Sequence, residues 1–217
     1  MGIHFKIKMT ERRLAAICRC MGVSGLALAL CFCLGWADTW EEIRSAADEV
    51  NSISAEFVQE KHLPILARPL VSKGVFYFSK PDSLRWEYRT PVRSILLMHG
   101  GTLRRYRQSG DGLKEDAGAG MQAMQFVMAE ITHWFGGCFE QSRMFAARLE
   151  KGRKIVLSPK EKSFARVIQR IELLLSDQPG IIDSVTIYES SDSFTRFYFK
   201  KARLNEALPE SLFRSAG

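Results

Sequence analysis

Beyond residue 37 this chain has almost no cysteine: Cys18, Cys20, Cys31 and Cys33 all fall earlier, and only Cys138 remains. A lone thiol excludes an intrachain disulfide framework and a Cys-x-x-Cys redox pair from that stretch. Cys138 is read as a small apolar residue rather than a nucleophile. Histidine is scarce as well. His62, His99 and His133 lie on different segments without ligand-like spacing, and no second pair joins His133 and Cys138 to complete a tetrahedral zinc site. The chain contains no Gly-x-Ser-x-Gly elbow, no His-Glu-x-x-His helix and no Gly-rich phosphate loop. Neither a metal, nor a cofactor, nor a catalytic residue is expected. A hydrolase would have to assemble its triad from distant Ser, His and Asp positions, and nothing in the sequence points to one.

Charge of one sign is not in great excess either. The chain carries 31 basic and 24 acidic residues, a formal charge of +7, but Lys6, Lys8, Arg12, Arg13, Arg19 and Glu11 sit in the first 37 residues; without these six the net charge is +3. Nucleic acid is therefore not an expected partner. The same five cations form the basic leader of a secretory signal. Met21 to Leu34 is its apolar stretch, and Gly35-Trp36-Ala37 supplies small residues for cleavage before Asp38. Residues 1–37 thus read as a cleaved signal peptide and residues 38–217 as one exported domain. The competing reading is a retained anchor, but Met21 to Ala37 spans roughly 26 Å of helix against a hydrocarbon core of about 30 Å. Lipidation would need a small residue before a cysteine, whereas Cys31 follows Leu30 and Cys33 follows Phe32.

In the exported part Trp40, Ile43, Ala47 and Val50 recur at helical spacing behind Thr39, which predicts a helix over 39–51. Beyond it the period becomes two. Leu84, Trp86 and Tyr88 alternate with Ser83, Arg85, Glu87 and Arg89, a strand expected to have one dry and one wet face. Similar patterns predict strands near 53–61, 70–79, 93–99, 102–108, 144–150, 153–158, 166–175, 181–190 and 194–204. Short turns such as Lys80-Pro81-Asp82, Gly100-Gly101 and Gln178-Pro179-Gly180 join them, which favours antiparallel neighbours. One segment interrupts the run: over 118–134, Met121, Met124, Met128, Ile131 and Phe135 fall at helical spacing. A last helical turn is expected within 206–213. About ten strands and two or three helices imply an α+β, mostly β fold: a single large curved antiparallel sheet, an open half-barrel, with helices covering its concave face.

Phe57, Phe76, Phe78, Leu84, Trp86, Tyr88, Phe197 and Phe199 place many rings on a sheet with few helical residues to cover it. Two readings stay open: a cavity lined by these rings and closed by the helices, or a filled core. Met121, Met124 and Met128 suit a lid, since methionine adapts to apolar partners of varied shape. Two basic groups, Arg104-Arg105 with Arg107 and Lys200-Lys201 with Arg203, are candidates to meet an acidic partner or anionic head groups. On the duller account they protect solvent faces and edges.

Several strings in a fixed order resemble the periplasmic outer-membrane lipoprotein carrier family, the LolA-like proteins. They are Ser54-Ala55-Glu56-Phe57-Val58-Gln59-Glu60, then Gly74 through Trp86 with Lys80-Pro81 and the Leu84/Trp86 pair. Ser94-Ile95-Leu96-Leu97 follows, then Gly101-Thr102-Leu103 with Tyr106, and Leu157-Ser158-Pro159-Lys160. The resemblance covers nearly all of residues 40–213. It implies a monomeric periplasmic carrier, not an enzyme. Such a carrier shields the acyl chains of lipoprotein cargo in an apolar cavity, takes them from an inner-membrane lipoprotein-releasing ABC transporter and passes them to an outer-membrane acceptor. It also implies that Leu84 and Trp86 line the cavity, and that Lys80 stands where the family has an arginine that latches the lid. Arg104 and Arg105 replace aromatics common in the family, which leaves room for another acylated cargo such as a glycolipid. A filled interaction or sensor domain of the same fold is the alternative.

Overall fold

The computed structural model of the chain describes residues 39–116, 128 and 130–217. Thr39 opens the first helix as a reciprocal cap. Its hydroxyl accepts from the Glu42 amide at 3.2 Å, while the Glu42 carboxylate accepts from the Thr39 amide at 3.1 Å, so two otherwise orphaned donors are satisfied. This helix, α1 (Trp40–Asp48), buries Ile43 and Ala47 one turn apart. The α2 helix comprises the described residues 128 and 130–135. Gly137 follows it at φ 69, where an added Cβ would lie 2.9 Å from the Arg44 backbone, so the turn leaving α2 packs against α1 only because it lacks a side chain.

The strands are β1 (Ser52–His62), β2 (Leu70–Ser79), β3 (Ser83–Thr90), β4 (Ser94–His99), β5 (Thr102–Ser109), β6 (Gly112–Glu115), β7 (Phe145–Glu150), β8 (Lys154–Pro159), β9 (Arg170–Leu175), β10 (Ile182–Tyr188) and β11 (Phe194–Leu204). They form one antiparallel 11-stranded sheet in the order β6-β5-β4-β3-β2-β1-β11-β10-β9-β8-β7. Two meanders, β1 to β6 and β7 to β11, are joined where β1 pairs with β11. Strands β6 and β7 remain unpaired with each other, so the sheet is open rather than a closed barrel. The connection between them runs from one edge of the sheet to the other and carries α2. Residues 37–217 make a compact unit holding every strand pairing and both apolar clusters. Among the described residues no helix is long and apolar enough to cross a membrane.

Most predicted strands stand within a residue or two of their expected bounds, and three differences have physical causes. The segment 166–175 becomes strand only from Arg170. Before it, α3 (Lys162–Ala165) forms because the Phe164 ring meets Phe145 edge-on at 5.5 Å, and this packing draws the chain into a turn. Strand β6 was not expected, being four residues long and lacking a clear alternation. The wet face of β3 is a correction. Ser83, Arg85 and Glu87 are buried, and of that face only Arg89 is exposed as expected, because the C-terminal segment with α4 (Ser211–Arg214) lies across that side of β3 and β4. The Arg85 guanidinium donates to Leu212 O at 3.0 Å, Ser215 O at 2.9 Å and Glu87 Oε2 at 2.8 Å, while Phe213 is buried. A cation and an anion are tolerated there because each is hydrogen-bonded and paired.

Gly74 sets the spacing on the opposite, ring-bearing side. It pairs with Phe57 on β1, and an added Cβ would stand 2.0 Å from Glu87 O and 2.6 Å from the Phe57 ring. Gly74→Ala is therefore expected to destabilise the fold by more than about 2 kcal/mol. Urea unfolding is the check: a midpoint equal to wild type would contradict the close approach.

Candidate functional site

Register puts Ile53, Ala55, Phe57 and Gln59 of β1 opposite Phe78, Phe76, Gly74 and Ser72 of β2, and β3 adds Leu84, Trp86 and Tyr88 to the same face. Strand β11 adds Phe197 and Phe199. Trp86 is the hub. Its ring centroid lies 4.9 Å from Phe57, 5.3 Å from Phe76, 5.3 Å from Phe197 and 6.1 Å from Phe199, mostly edge-on as ring quadrupoles prefer. The α2 helix covers this surface. Phe135 stacks on Phe76 at 5.1 Å and on Phe78 at 5.2 Å, and Met128 is buried in the same cluster. A second cluster, built on Phe145, Ile155, Leu157, Ile171 and Leu173, fills the other half of the sheet. Ile131, Phe135, Phe197 and Phe199 touch both.

Polar groups mark one end of the ring face. The Tyr88 hydroxyl donates to Gln59 Oε1 at 2.6 Å, and burial pushes its pKa up to about 12. Among the described residues the buried Trp86 Nε1 has no acceptor at hydrogen-bond distance. A further polar contact fixes the cover: Ser142 donates to the buried Glu130 carboxylate of α2 at 2.6 Å.

The sequence-derived residues thus divide. Phe57, Phe76, Phe78, Leu84, Trp86, Tyr88, Met128, Phe197 and Phe199 meet on one face. Met121 and Met124 lie outside the described residues. Lys80 is not on the ring face: its Nζ donates to Ala47 O at 2.9 Å and Asp48 O at 3.2 Å, capping the C-terminal end of α1, which has no basic residue in its own last turn. Lys80, the expected latch, thus ties α1 to the β2–β3 turn, while Phe135 and Glu130 hold α2. Sequence reasoning missed the part played by Phe135, Ile131, Leu96 and Met98 in this cluster. The last two were legible, because they alternate on β4 and pair with Trp86 and Leu84. Arg104 and Arg105 separate by register: Arg105 pairs with Leu96 on the ring side and binds Asp116 at 2.8 Å, while Arg104 projects to the other side.

His62 stacks on Phe194 at 4.2 Å, and His133 is exposed. Cys138, read as a core residue, is only half-buried. His99 contacts Ser83 Oγ through Nδ1 at 2.8 Å and Glu210 through Nε2 at 3.5 Å. These three groups have the composition of a catalytic triad but not its accessibility. Ser83 is buried within β3, and the exposed carboxylate is already paired with Arg214. The arrangement pins the segment before α4 to the sheet.

The family model for the outer membrane lipoprotein carrier protein LolA matches residues 48–216, and the chain belongs to that family. No curated protein matches its sequence. Similar solved structures include a DUF1329 family protein from Desulfovibrio piger, at 11% identity and TM-score 0.45, covering 80% of this chain and 95% of that one. A LolA superfamily protein from Nitrosomonas europaea is 12% identical at TM-score 0.41, covering 81% and 97%. MucB in its complex with MucA from Pseudomonas aeruginosa is 18% identical at TM-score 0.39, covering 83% of this chain and 61% of that one. Family membership rests on the sequence match, not on these distant likenesses.

Lys80→Met is expected to lower stability by about 1–2 kcal/mol through the lost cap, measured by urea unfolding; no change would remove Lys80 from that role. The neutral Tyr88 phenol is the form that the fold favours. Its contribution is whole below pH 10 and is lost as the pH rises toward 12. In an alkaline titration followed by phenolate absorbance, Tyr88→Phe is expected to delete the late-ionising component. A deletion at the ordinary tyrosine pKa would contradict the burial.

Proposed function

We propose that the chain is a periplasmic carrier of acylated cargo, with residues 1–37 removed on export and residues 38–217 acting as a single carrier domain. The observation that carries this reading is the unbroken ring face of β1, β2, β3 and β11, covered by α2, in a chain of the lipoprotein carrier family. Lipoprotein acyl chains are the first expected cargo, received from an inner-membrane ABC transporter and surrendered to an outer-membrane acceptor. No chemistry is asked of the protein: burying hydrocarbon contributes about 0.8 kcal/mol per CH₂, and release needs only an acceptor of higher affinity. Because Phe76, Phe78, Trp86 and Phe135 touch one another, acyl chains enter by parting Phe135 from the sheet. The Trp86 indole N–H and the Tyr88–Gln59 pair then offer polar partners for ester groups. Close ring packing is also what a filled interaction domain would have, and this keeps the second reading in play.

Titration of residues 37–217 with a fluorescent acyl probe and with a synthetic lipopeptide separates the two. Saturable uptake is expected, faster in Phe135→Ala and weaker by about tenfold or more in Phe197→Glu, a substitution at a half-buried position. A wild-type protein that takes up neither ligand, with Phe135→Ala equally inert, would establish the filled-domain reading instead.

A further inference from the structure

The β1–β2 hairpin ends in a tip that a soluble domain has little reason to carry. In Leu63-Pro64-Ile65-Leu66-Ala67-Arg68-Pro69, Ile65 is 89% exposed and Leu66 40%; Leu70 at 54% and Val71 at 46% continue the apolar surface into β2. The neighbouring β3–β4 turn adds Val92, 63% exposed. The last strand pair of the hairpin is Lys61 with Leu70, whereas β3 ends opposite Lys73, so the tip projects beyond β3 by three strand residues, roughly 10 Å. Scattered exposed apolar residues need no explanation, but Ile65 and Leu66 on a projecting tip, with Leu70 and Val71 next to them in the chain, do.

Charge identifies what meets it. Arg68, Lys73 and Arg89 are exposed around the cluster and have no ion partner among the described residues. The acidic side chains nearby are engaged: Glu60 faces His62 at 3.4 Å and Glu189 takes Lys61 at 3.3 Å. The tip is convex and aliphatic, without the aromatic anchors typical of protein interfaces. We propose that this hairpin docks the protein on an anionic phospholipid surface, with Ile65 and Leu66 entering the head-group boundary and Arg68, Lys73 and Arg89 meeting phosphates. Docking this end would face the polar limit of the ring face toward the bilayer, since Gln59–Ser72 and Lys61–Leu70 continue the register that carries Phe57.

The test is co-sedimentation of residues 37–217 with phosphatidylcholine vesicles, with and without phosphatidylglycerol, at low and high salt. Binding that requires phosphatidylglycerol and weakens with salt is expected. The double substitution Ile65→Glu with Leu66→Glu, at exposed positions outside both apolar clusters, is expected to weaken it at least tenfold with circular dichroism unchanged. Arg68→Glu is expected to weaken it about fivefold or more on anionic vesicles. Absence of wild-type binding, or binding indifferent to the double substitution, would overturn the assignment, as would capture of a protein ligand by a tip that ignores vesicles. Acyl-probe uptake in solution is expected to survive the double substitution. Joint loss of uptake and vesicle binding would also overturn it, because the effect would then belong to the ring face.

Discussion

The packing of rings around Trp86 is the constraint on which the rest of this molecule depends. A sheet face bearing Phe57, Phe76, Phe78, Trp86, Phe197 and Phe199 cannot be left to water, since each such side chain is worth about 1.5–3 kcal/mol when buried. Few helical residues are available to cover it. The solution is a connection that passes from one sheet edge to the other and lays Met128, Ile131 and Phe135 over the rings. Gly74 follows from the same demand, because the Phe57 ring occupies the space its side chain would need.

The opposite side of β3 is handled by different chemistry. There Arg85 and Glu87 are held by each other, by Arg93 and by the carbonyls of the C-terminal segment, so removing Glu87 would leave the Arg85 guanidinium without a counter-ion in a dry site. Strand β3 is consequently enclosed on both sides and forms the rigid centre of its meander. Lys80, next to it in the chain, extends that rigidity to the end of α1. The polar contacts therefore fix the scaffold, whereas among the described residues the cover over the rings is held by ring stacking and the Ser142–Glu130 hydrogen bond. An apolar guest competes with ring stacking on equal terms and not with the polar contacts.

Much of this was legible in the sequence. Strict alternation in β3 put Leu84, Trp86 and Tyr88 on one face, and Thr39 marked the start of α1. The burial of Arg85 and Glu87 was not legible, because alternation distinguishes two faces without saying whether a distant segment covers the second. Lys80 was expected to hold a covering helix, but which one was not legible, since a residue 32 positions from its acceptor Asp48 carries no local signature of that bond. The turn at Phe164 escaped for the same reason: a ring contact across the sheet decided it. Phe135 stood at a helical spacing with the methionines, yet only the fold brings it onto Phe76 and Phe78.

The account stands or falls on whether acyl chains occupy the surface that Phe135 covers. Photo-crosslinking with a lipopeptide bearing a diazirine in its acyl chain tests this directly, with the labelled residues identified by mass spectrometry. Adducts concentrated on Trp86, Phe135, Phe197 and their neighbours are the expected result. Adducts confined to the outer side of the sheet, or to the exposed β1–β2 tip alone, would contradict it.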